Sequence, residues 1–225
     1  MLLWWIVGIA AIAICARIYA KGKSNPYKPN LENKVVVVTG GTAGIGKETA
    51  KELTKLCAQV VITGRDRVKA EKIIAESRGL QTLGNKPVKD IIFEQCDLTD
   101  LTAVTALAKR LKDRFGQIDI LVNNAATIEQ VMSRQKQGIE TIMGVNHIAH
   151  MYLTHLLMPL LIRSSDPRIV MVSAKGYKIG MMKQSKKEGG EDDPSDFLLD
   201  NLKAEDFNSF SVYAKSKLGN ILFAQ

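Results

Sequence analysis

Apolar and polar positions divide the chain into an apolar first segment, a short polar linker and a long region of alternating patterns. The first segment covers residues 1–20, and its uninterrupted apolar run extends from Leu2 to Ala16. The linker, residues 21–30, carries two prolines and three lysines and shows no apolar periodicity. The pattern therefore predicts one folded domain over residues 31–225.

Short runs rich in valine and isoleucine, each followed by a stretch with helical spacing, fill the predicted domain. The runs that predict strands are KVVVVTG, QVVITG, VKDIIFEQCD, IDILVNNA and RIVMVSA. The stretches that predict helices are residues 45–56, 67–77, 101–115 and 138–162. Because such apolar strands must be covered on both faces, the alternation predicts an α/β fold, a Rossmann-type doubly wound parallel sheet.

Residues 175–210 interrupt this alternation. They contain KQSKKEGGEDDPSD, in which a basic cluster precedes an acidic one, with glycines and a proline between and around them. The composition predicts a long loop or insertion over the functional site, with its charges on a solvated surface. The alternative is that Lys183, Lys186 and Lys187 contact a membrane surface.

The first twenty residues have the length and composition of a transmembrane helix. As a helix they would span about 30 Å, the thickness of the hydrocarbon core of a bilayer. No lysine or arginine precedes the apolar run and no small-x-small cleavage site follows it, which favours an anchor over the alternative, a cleaved signal peptide. Basic residues follow the run, so we expect a single-pass protein of the endoplasmic reticulum membrane whose domain faces the cytoplasm.

Composition excludes several other classes of protein. The chain has 225 residues and a net charge of +8, but its basic residues are spread along it and no nucleic-acid-binding motif is present, so no nucleic acid partner is predicted. Three distant cysteines in apolar contexts indicate neither a disulfide framework nor a zinc site. His147 and His150 share a predicted helix without a third ligand at suitable spacing, so no metal is predicted.

Four glycines, at positions 40, 41, 44 and 46, follow the first strand directly and begin the next helix. Glycines there allow a tight turn and close approach of a pyrophosphate, whose charge the helix N-terminus can receive. The position therefore predicts a dinucleotide site, and the alternative is a glycine-rich turn without a ligand.

The end of the second strand bears on the choice of cofactor. Folds that bind NAD usually place a carboxylate there, but this chain has Thr63, Gly64 and Arg65. Arg65 could pair with a 2′-phosphate, so NADP(H) is the predicted cofactor, with Lys47 as a candidate second cation. The alternative is that Arg65 is solvated and that Asp66 caps the following helix.

Several separate motifs, in the same order along the chain, resemble those of the short-chain dehydrogenase/reductase family. The matching positions are Thr39-Gly40-x-x-x-Gly44-Ile45-Gly46, Asp97, NNAA at residues 123–126, Ser173, and Tyr213-x-x-x-Lys217. Within the family, GVNHIAHMYLTHLL and YAKSKLGNILFAQ are similar to the retinol dehydrogenase and WW-domain oxidoreductase branch.

The resemblance implies two sets of site residues and, as in many family members, a possible homodimer. The implied cofactor-binding residues are Gly40, Thr42, Gly44, Ile45, Gly46, Arg65, Asp97, Asn123, Ala125, Tyr213 and Lys217. The implied catalytic residues are Asn146, Ser173, Tyr213 and Lys217.

These residue types also suit the chemistry of hydride transfer to a carbonyl. Negative charge develops on the carbonyl oxygen, so a hydrogen-bond donor and a proton source are needed beside it. Ser173 can be the donor and Tyr213 the acid. Lys217, one helical turn from Tyr213, can lower the pKa of the phenol, and the resemblance gives Asn146 a part in a water-mediated proton path to the lysine.

Three departures from the family pattern open an alternative function. Ala126 stands where the family usually has glycine, forty positions separate Ser173 from Tyr213, and the sixth and seventh strands of the family are missing. The predicted function is that of a membrane-anchored NADP(H)-dependent oxidoreductase acting on a hydrophobic aldehyde, ketone or alcohol, such as a retinoid, steroid or lipid carbonyl. The alternative is a truncated or non-catalytic cofactor-binding or interaction protein of the same fold.

Overall fold

The computed structural model describes residues 2–20, 26–178 and 199–225. The strands are β1 (Val35–Thr39), β2 (Gln59–Gly64), β3 (Ile92–Gln95), β4 (Ile120–Asn123) and β5 (Arg168–Met171). The α-helices are α1 (Leu2–Ala20), α2 (Gly44–Lys55), α3 (Arg67–Arg78), α4 (Leu101–Arg114), α5 (Thr141–Met143), α6 (Ala149–Leu161) and α7 (Ser209–Phe223). Two 3₁₀ turns, Leu83–Asn85 and Ala204–Asp206, and one π-helical turn, Gly144–Ile148, complete the described elements.

The five strands form one parallel sheet in the order β3-β2-β1-β4-β5. The chain first builds outward from β1 through β2 to β3 and then returns to the other side of β1. The strand order thus reverses between β1 and β4, which is the place where open α/β sheets bind ligands, beyond the carboxyl ends of the strands. The predicted parallel α/β fold is confirmed.

The run of valines in β1 explains why helices cover both faces of the sheet. Side chains alternate along a strand, so Val37 faces one side while Val36 and Val38 face the other. Val37 belongs to a buried cluster with residues of α4 and α6. Val36 and Val38 belong to a second buried cluster with residues of α2 and α3. Burial on both faces is therefore encoded by consecutive apolar residues.

The helix predicted at residues 138–162 begins later and is not regular. Gly138 has a left-handed φ of +81°, and the buried carboxylate of Glu140 then caps the helix by accepting hydrogen bonds from the amides of Ile142 and Met143 at 3.0 and 2.8 Å. The π-helical turn Gly144–Ile148 follows before the α-helical geometry resumes. Such turns are frequent at functional sites, and this one contains Asn146.

A buried carboxylate fixes the opposite, amino-terminal edge of the sheet. Asp119, just before β4, accepts hydrogen bonds from the Val35 amide at 2.8 Å, the Lys34 ammonium at 3.0 Å and the Ser164 hydroxyl at 2.6 Å. It thereby holds together the chain segments that begin β1, β4 and the approach to β5. Register set at this edge determines which side chains meet at the other edge, where the glycine turn lies.

The N-terminal helix α1 exposes every side chain from residue 8 to residue 17. In the described part of the chain, none of the helices combines the length and apolar content required for a bilayer span. Most of the predicted insertion, including Lys183, Lys186 and Lys187, lies outside the described residues.

Candidate active site

An open cavity of about 610 Å³ lies at the carboxyl ends of β1, β2 and β4. Seven of the predicted cofactor-binding residues line it: Gly40, Thr42, Gly44, Ile45, Arg65, Asp97 and Ala125. Ala126, the departure from the family pattern, also lines the cavity. The other predicted cofactor residues, Gly46, Asn123, Tyr213 and Lys217, lie outside this lining.

The glycine turn is required by close packing as well as by backbone conformation. Gly40 has a φ of +64°, and a Cβ there would lie 2.8 Å from the Cα of Ala125. Gly46 is buried rather than part of the cavity wall, and a Cβ on it would lie 2.4 Å from the carbonyl oxygen of Gly40. Larger residues would push the turn away from β4, so these glycines shape the cavity without needing to touch a ligand.

The N-terminus of α2 is built to receive an anion. Its N-cap residue is Ala43, which makes no side-chain capping bond, and its first turn carries no acidic residue. By contrast, α3 and α4 are capped by the carboxylates of Asp66 and Asp100. The α2 amides thus face the cavity without a competing side chain, and the positive end of the helix dipole adds to their attraction for a phosphate. The residues present therefore fit a dinucleotide.

Two cations, Arg65 and Lys69, line the cavity at the end of β2. Asp66 caps α3 by accepting from the Lys69 amide at 3.0 Å, so the predicted alternative role for Asp66 is realised while Arg65 still faces the cavity. Lys47, the predicted second cation, instead pairs with Glu76 at 3.0 Å. Lys69, in the first turn of α3, was not named from sequence; its Nζ lies 3.4 Å from the Asp66 carboxylate at the same side of the cavity.

The two asparagines at the end of β4, Asn123 and Asn124, point in different directions. The side-chain nitrogen Nδ2 of Asn123 donates into the core, to the Thr154 hydroxyl at 2.9 Å and the Met171 sulfur at 3.0 Å. Asn124 faces the cavity instead and donates to the carbonyl oxygen of Thr39 at 2.9 Å. Successive side chains on a strand point to opposite sides, so only one asparagine of the pair can face the ligand space.

Asp97 and Cys96, in the cavity wall after β3, have a fixed orientation and a fixed protonation state respectively. One oxygen of the Asp97 carboxylate accepts from both the amide and the hydroxyl of Thr99 at 2.9 Å, which fixes the orientation of the carboxylate in the cavity wall. Burial raises the pKa of the neighbouring Cys96 to about 11, so its thiol stays protonated and unreactive.

The four predicted catalytic residues meet beside this cavity. Asn146 is fully buried, and its side chain joins Thr127 of the cavity wall to Ser216 of α7, accepting from the Thr127 amide at 2.7 Å and donating to the Ser216 hydroxyl at 3.1 Å. Ser173, just after β5, donates its hydroxyl proton to the carbonyl oxygen of Lys217 at 2.8 Å. The cluster is therefore assembled from the π-helical turn, the segment that follows β5, and α7.

Lys217 has an unusual environment for an ammonium group. Its side chain is buried, with the residue 2% exposed, and Nζ donates to the carbonyl oxygen of Val172 at 3.1 Å. Nζ also lies 5.6 Å from the centre of the Tyr213 ring. Burial lowers the pKa of Lys217 to about 8, because the charged form loses hydration that one carbonyl does not replace.

The histidines of this region serve as hydrogen-bonding partners. His147 is buried against α7 and bonds to the Asn220 side chain at 3.2 Å. His150 is fully buried and bonds to Thr39 and to the carbonyl oxygen of Asn146. Among residues 2–20, 26–178 and 199–225, no group of three or more potential metal ligands is arranged to hold an ion.

Comparison with known proteins agrees with this geometry. A family model described as short chain dehydrogenase matches residues 34–186. The chain is 34% identical over 204 residues to human retinol dehydrogenase 14 and 38% identical over 196 residues to human retinol dehydrogenase 11, with 87% of this chain covered in each case. It spans little more than half the length of these relatives, 56% and 55% respectively.

Solved structures show the same fold. A crystal structure of an uncharacterized protein from Mycobacterium paratuberculosis superposes with a TM-score of 0.66 at 25% identity, covering 89% of this chain and 63% of that one. A short chain dehydrogenase from Escherichia coli CFT073 complexed with NADPH gives a TM-score of 0.61 at 23% identity, covering 86% and 70%. The chain therefore belongs to the short chain dehydrogenase family and is similar within it to the retinol dehydrogenases.

Proposed function

We propose that the chain is an NADP(H)-dependent oxidoreductase that interconverts a hydrophobic aldehyde or ketone and its alcohol. One observation carries the proposal: the glycine turn with its uncapped helix and the cluster of Asn146, Ser173, Tyr213 and Lys217 adjoin at one edge of the sheet. Retinoid, steroid and lipid carbonyls are the proposed substrates, and similarity to proteins named retinol dehydrogenases supports the first of these.

Tyr213 and Lys217 would control the proton of the reaction. The nicotinamide cofactor, when bound, supplies or accepts the hydride. In the reductive direction the Tyr213 hydroxyl donates a proton to the developing alkoxide, and in the oxidative direction the phenolate accepts it. The Lys217 ammonium, whose Nζ lies 5.6 Å from the Tyr213 ring centre, would hold a positive charge beside the phenol during this proton transfer.

Ser173 would stabilise the substrate oxygen through its hydroxyl. In the described conformation this hydroxyl donates to the Lys217 carbonyl at 2.8 Å, so it must rotate about its side-chain bond to donate to a substrate. Asn146 would hold the arrangement together, because its side chain bonds at once to Thr127 beside the cavity and to Ser216 beside Lys217.

Turnover by the full chain in detergent tests the proposal directly. Purified protein is incubated with NADPH and a panel of retinaldehyde and steroid ketones, and oxidation of NADPH is followed by absorbance. We expect oxidation that depends on the added carbonyl. Binding of NADPH without its oxidation by any member of the panel would contradict the enzymatic proposal for this chain.

That second outcome would instead support a cofactor-binding or interaction protein without turnover. The specific observation in its favour is that the polar groups of Ser173 and Lys217 are both engaged by backbone carbonyls, those of Lys217 and Val172. Ala126 in the cavity lining is consistent with the same candidate.

Cofactor choice is proposed to depend on Arg65. Replacing Arg65 with alanine removes a guanidinium that can bind a 2′-phosphate bidentately, and charge-assisted hydrogen bonds of this kind correspond to a roughly 10- to 100-fold change in affinity. We expect the Kd for NADPH to rise by that factor and the Kd for NADH to change less than about twofold, both measured by calorimetry.

Lys47→Ala provides a matched control, because it removes a cation of the same region whose partner is Glu76 rather than the cavity. It should leave both dissociation constants unchanged. Equal weakening of NADPH and NADH by Arg65→Ala would show that Arg65 does not recognise the 2′-phosphate.

We also propose that α1 anchors the protein in a membrane, with the domain on the cytoplasmic face. The apolar run Leu2–Ala16 and the basic residues after it support this proposal. A homodimer stays a prediction from the family resemblance. The proposed anchor places the site close to a bilayer, where hydrophobic carbonyls concentrate.

Extraction of membranes at alkaline pH tests the anchor. The full chain should stay in the membrane pellet, whereas a variant carrying both Ile9→Lys and Ile12→Lys should be released, since each central lysine costs roughly 2.5–3.5 kcal/mol on insertion. The paired control, Ile9→Leu with Ile12→Leu, should stay in the pellet. Release of the unaltered chain would refute the anchor.

A further inference from the structure

His150 lies in the core between Thr39, at the end of β1, and Asn146, in the π-helical turn. It is fully buried. Its Nε2 lies 2.8 Å from the Thr39 hydroxyl, and its Nδ1 lies 3.1 Å from the carbonyl oxygen of Asn146. Both ring nitrogens therefore have partners, one on β1 and the other in the π-helical turn.

The two partners determine which nitrogen carries the proton. A carbonyl oxygen can only accept, so Nδ1 must be the donor to Asn146, and in a neutral ring Nε2 is then the acceptor. The Thr39 hydroxyl must consequently donate its proton to Nε2. The competing acceptor for that proton, the carbonyl oxygen of Val122, is farther away at 3.4 Å.

Donation of the Thr39 proton to His150 determines which hydrogen bonds the Thr39 oxygen can accept. The Thr39 oxygen accepts hydrogen bonds from the backbone amides of Asn124 at 2.9 Å and Ala125 at 3.1 Å. With its proton directed to His150, both of its acceptor positions are free for these amides. Asn124 and Ala125 line the cavity, so the imidazole helps to set the position of the cavity wall.

The second ring nitrogen, Nδ1, bonds to Asn146 of the catalytic cluster. Nδ1 holds the carbonyl oxygen of Asn146 within the π-helical turn, where the regular helical bonding pattern is interrupted. The side chain of the same residue reaches the Ser216 hydroxyl on α7, next to Lys217. Ser216 in turn donates to the carbonyl oxygen of Tyr213 at 2.8 Å. One imidazole thus joins β1, the β4 loop and α7.

We propose that His150 is a positioning residue which, as a neutral imidazole protonated on Nδ1, couples the cavity wall at Thr39 to the Tyr213–Lys217 helix through Asn146. The coupling to turnover rests on the proposed function, whereas the protonation state and the effect on the cavity do not. Burial lowers the pKa of His150 to about 4, against the raising effect of its bond to Asn146, which agrees with a neutral ring at physiological pH.

Two substitutions separate the two bonds. In His150→Asn the side-chain amide can reproduce the Nδ1 donor to Asn146 but does not reach Thr39. In His150→Gln the amide can take the place of Nε2 and accept from Thr39, but the donor to Asn146 is lost. A residue that only filled the core would give similar losses with both variants.

We expect opposite effects on cofactor binding and turnover. His150→Asn should raise the Kd for NADPH roughly 5- to 50-fold and change kcat less than about twofold, because the cavity wall loses its support. His150→Gln should lower kcat by a similar factor and change the Kd for NADPH less than about twofold. Parallel losses of binding and turnover in both variants would overturn the coupling.

A spectroscopic measurement decides the inference independently of activity. The chain has three histidines, so ¹⁵N-labelled histidine rings of the full chain in detergent can be assigned with the help of the His150→Gln spectrum. We expect His150 to show a protonated Nδ1 and no titration between about pH 5 and 8. A protonated Nε2, or titration in that range, would overturn the proposal whatever the activities of the two variants.

The two proposals can therefore fail separately. The first case is a wild-type protein that shows the expected His150 spectrum but oxidises no carbonyl, while the two variants differ in NADPH affinity as predicted. This result would refute the proposed enzyme and support the role of His150 in positioning the cavity wall. Wild-type protein that turns over but shows an Nε2-protonated His150 would do the reverse.

Discussion

Replacing Tyr213 with phenylalanine is expected to lower kcat by roughly 10²- to 10⁴-fold, the range typical for loss of a positioned general acid. The change removes only the phenolic hydroxyl. The ring packs partly buried against a cluster that includes Met143, Val212 and Phe207, and phenylalanine preserves that packing. The Kd for NADPH should therefore stay within about twofold of the wild-type value while oxidation of NADPH by the carbonyl nearly stops.

Tyr152→Phe is the matched control for this prediction. The Tyr152 hydroxyl bonds to Thr105 at 3.0 Å, between α6 and α4, instead of to a residue of the catalytic set. Its removal should leave kcat unchanged. If Tyr213→Phe kept more than about a tenth of wild-type kcat, another group would have to supply the proton, and the proposed role of Tyr213 would be wrong.

Replacing Lys217 with methionine is expected to abolish turnover and at the same time to stabilise the fold below pH 8. The Lys217 ammonium is buried, and its pKa is lowered from 10.5 to about 8. Each pKa unit corresponds to about 1.4 kcal/mol, so the charged form destabilises the folded state by about 3 kcal/mol. Methionine fills a similar volume without that charge, although the hydrogen bond to the Val172 carbonyl is lost and reduces the gain.

The sign of the pH dependence follows from the lowered pKa. Between pH 8 and 10.5 the unfolded chain binds more protons at Lys217 than the folded chain does, so the free energy of unfolding of the wild type rises with pH in this window. The methionine variant lacks this rise. The difference in unfolding free energy between the two proteins should therefore be largest below about pH 8 and should narrow toward pH 10.5.

Denaturant titrations at several pH values measure this difference. Lys109→Met, a replacement on the exposed side of α4, corrects for any general effect of removing one positive charge. A stability difference between wild type and Lys217→Met that is the same at pH 7 and pH 10 would show that burial of the ammonium is not the cause.

Local constraints made part of this site predictable from sequence. Consecutive valines in β1 require burial on both faces, which the two apolar clusters confirm. Positions 40 and 46 must be glycine because a Cβ at either would collide with the turn itself or with the residues just after β4. The motif alone was therefore enough to predict these glycines. Spacing of four residues was likewise sufficient to place Tyr213 and Lys217 on one helix.

Contacts between distant segments were not predictable in the same way. Lys47 was a candidate second cation from sequence, and in the fold it pairs with Glu76, which lies on a different helix. Asn123 was a candidate cofactor residue, but Asn124 lines the cavity, because the direction of each side chain depends on strand register, which a motif does not state. No metal was predicted at His150, and no other role could be assigned to it from sequence, since its partner Thr39 is 111 positions away. In each case tertiary structure, rather than local spacing, decides the contacts of the polar group.

The missing cap on α2 also has a thermodynamic consequence. Ala43 makes no side-chain capping bond, so the first amides of that helix remain available to a bound anion. A ligand that binds the folded state and not the unfolded one raises stability in proportion to the logarithm of its concentration. With the proposed cofactor, the stability of the folded domain would rise and fall with the local concentration of NADP(H).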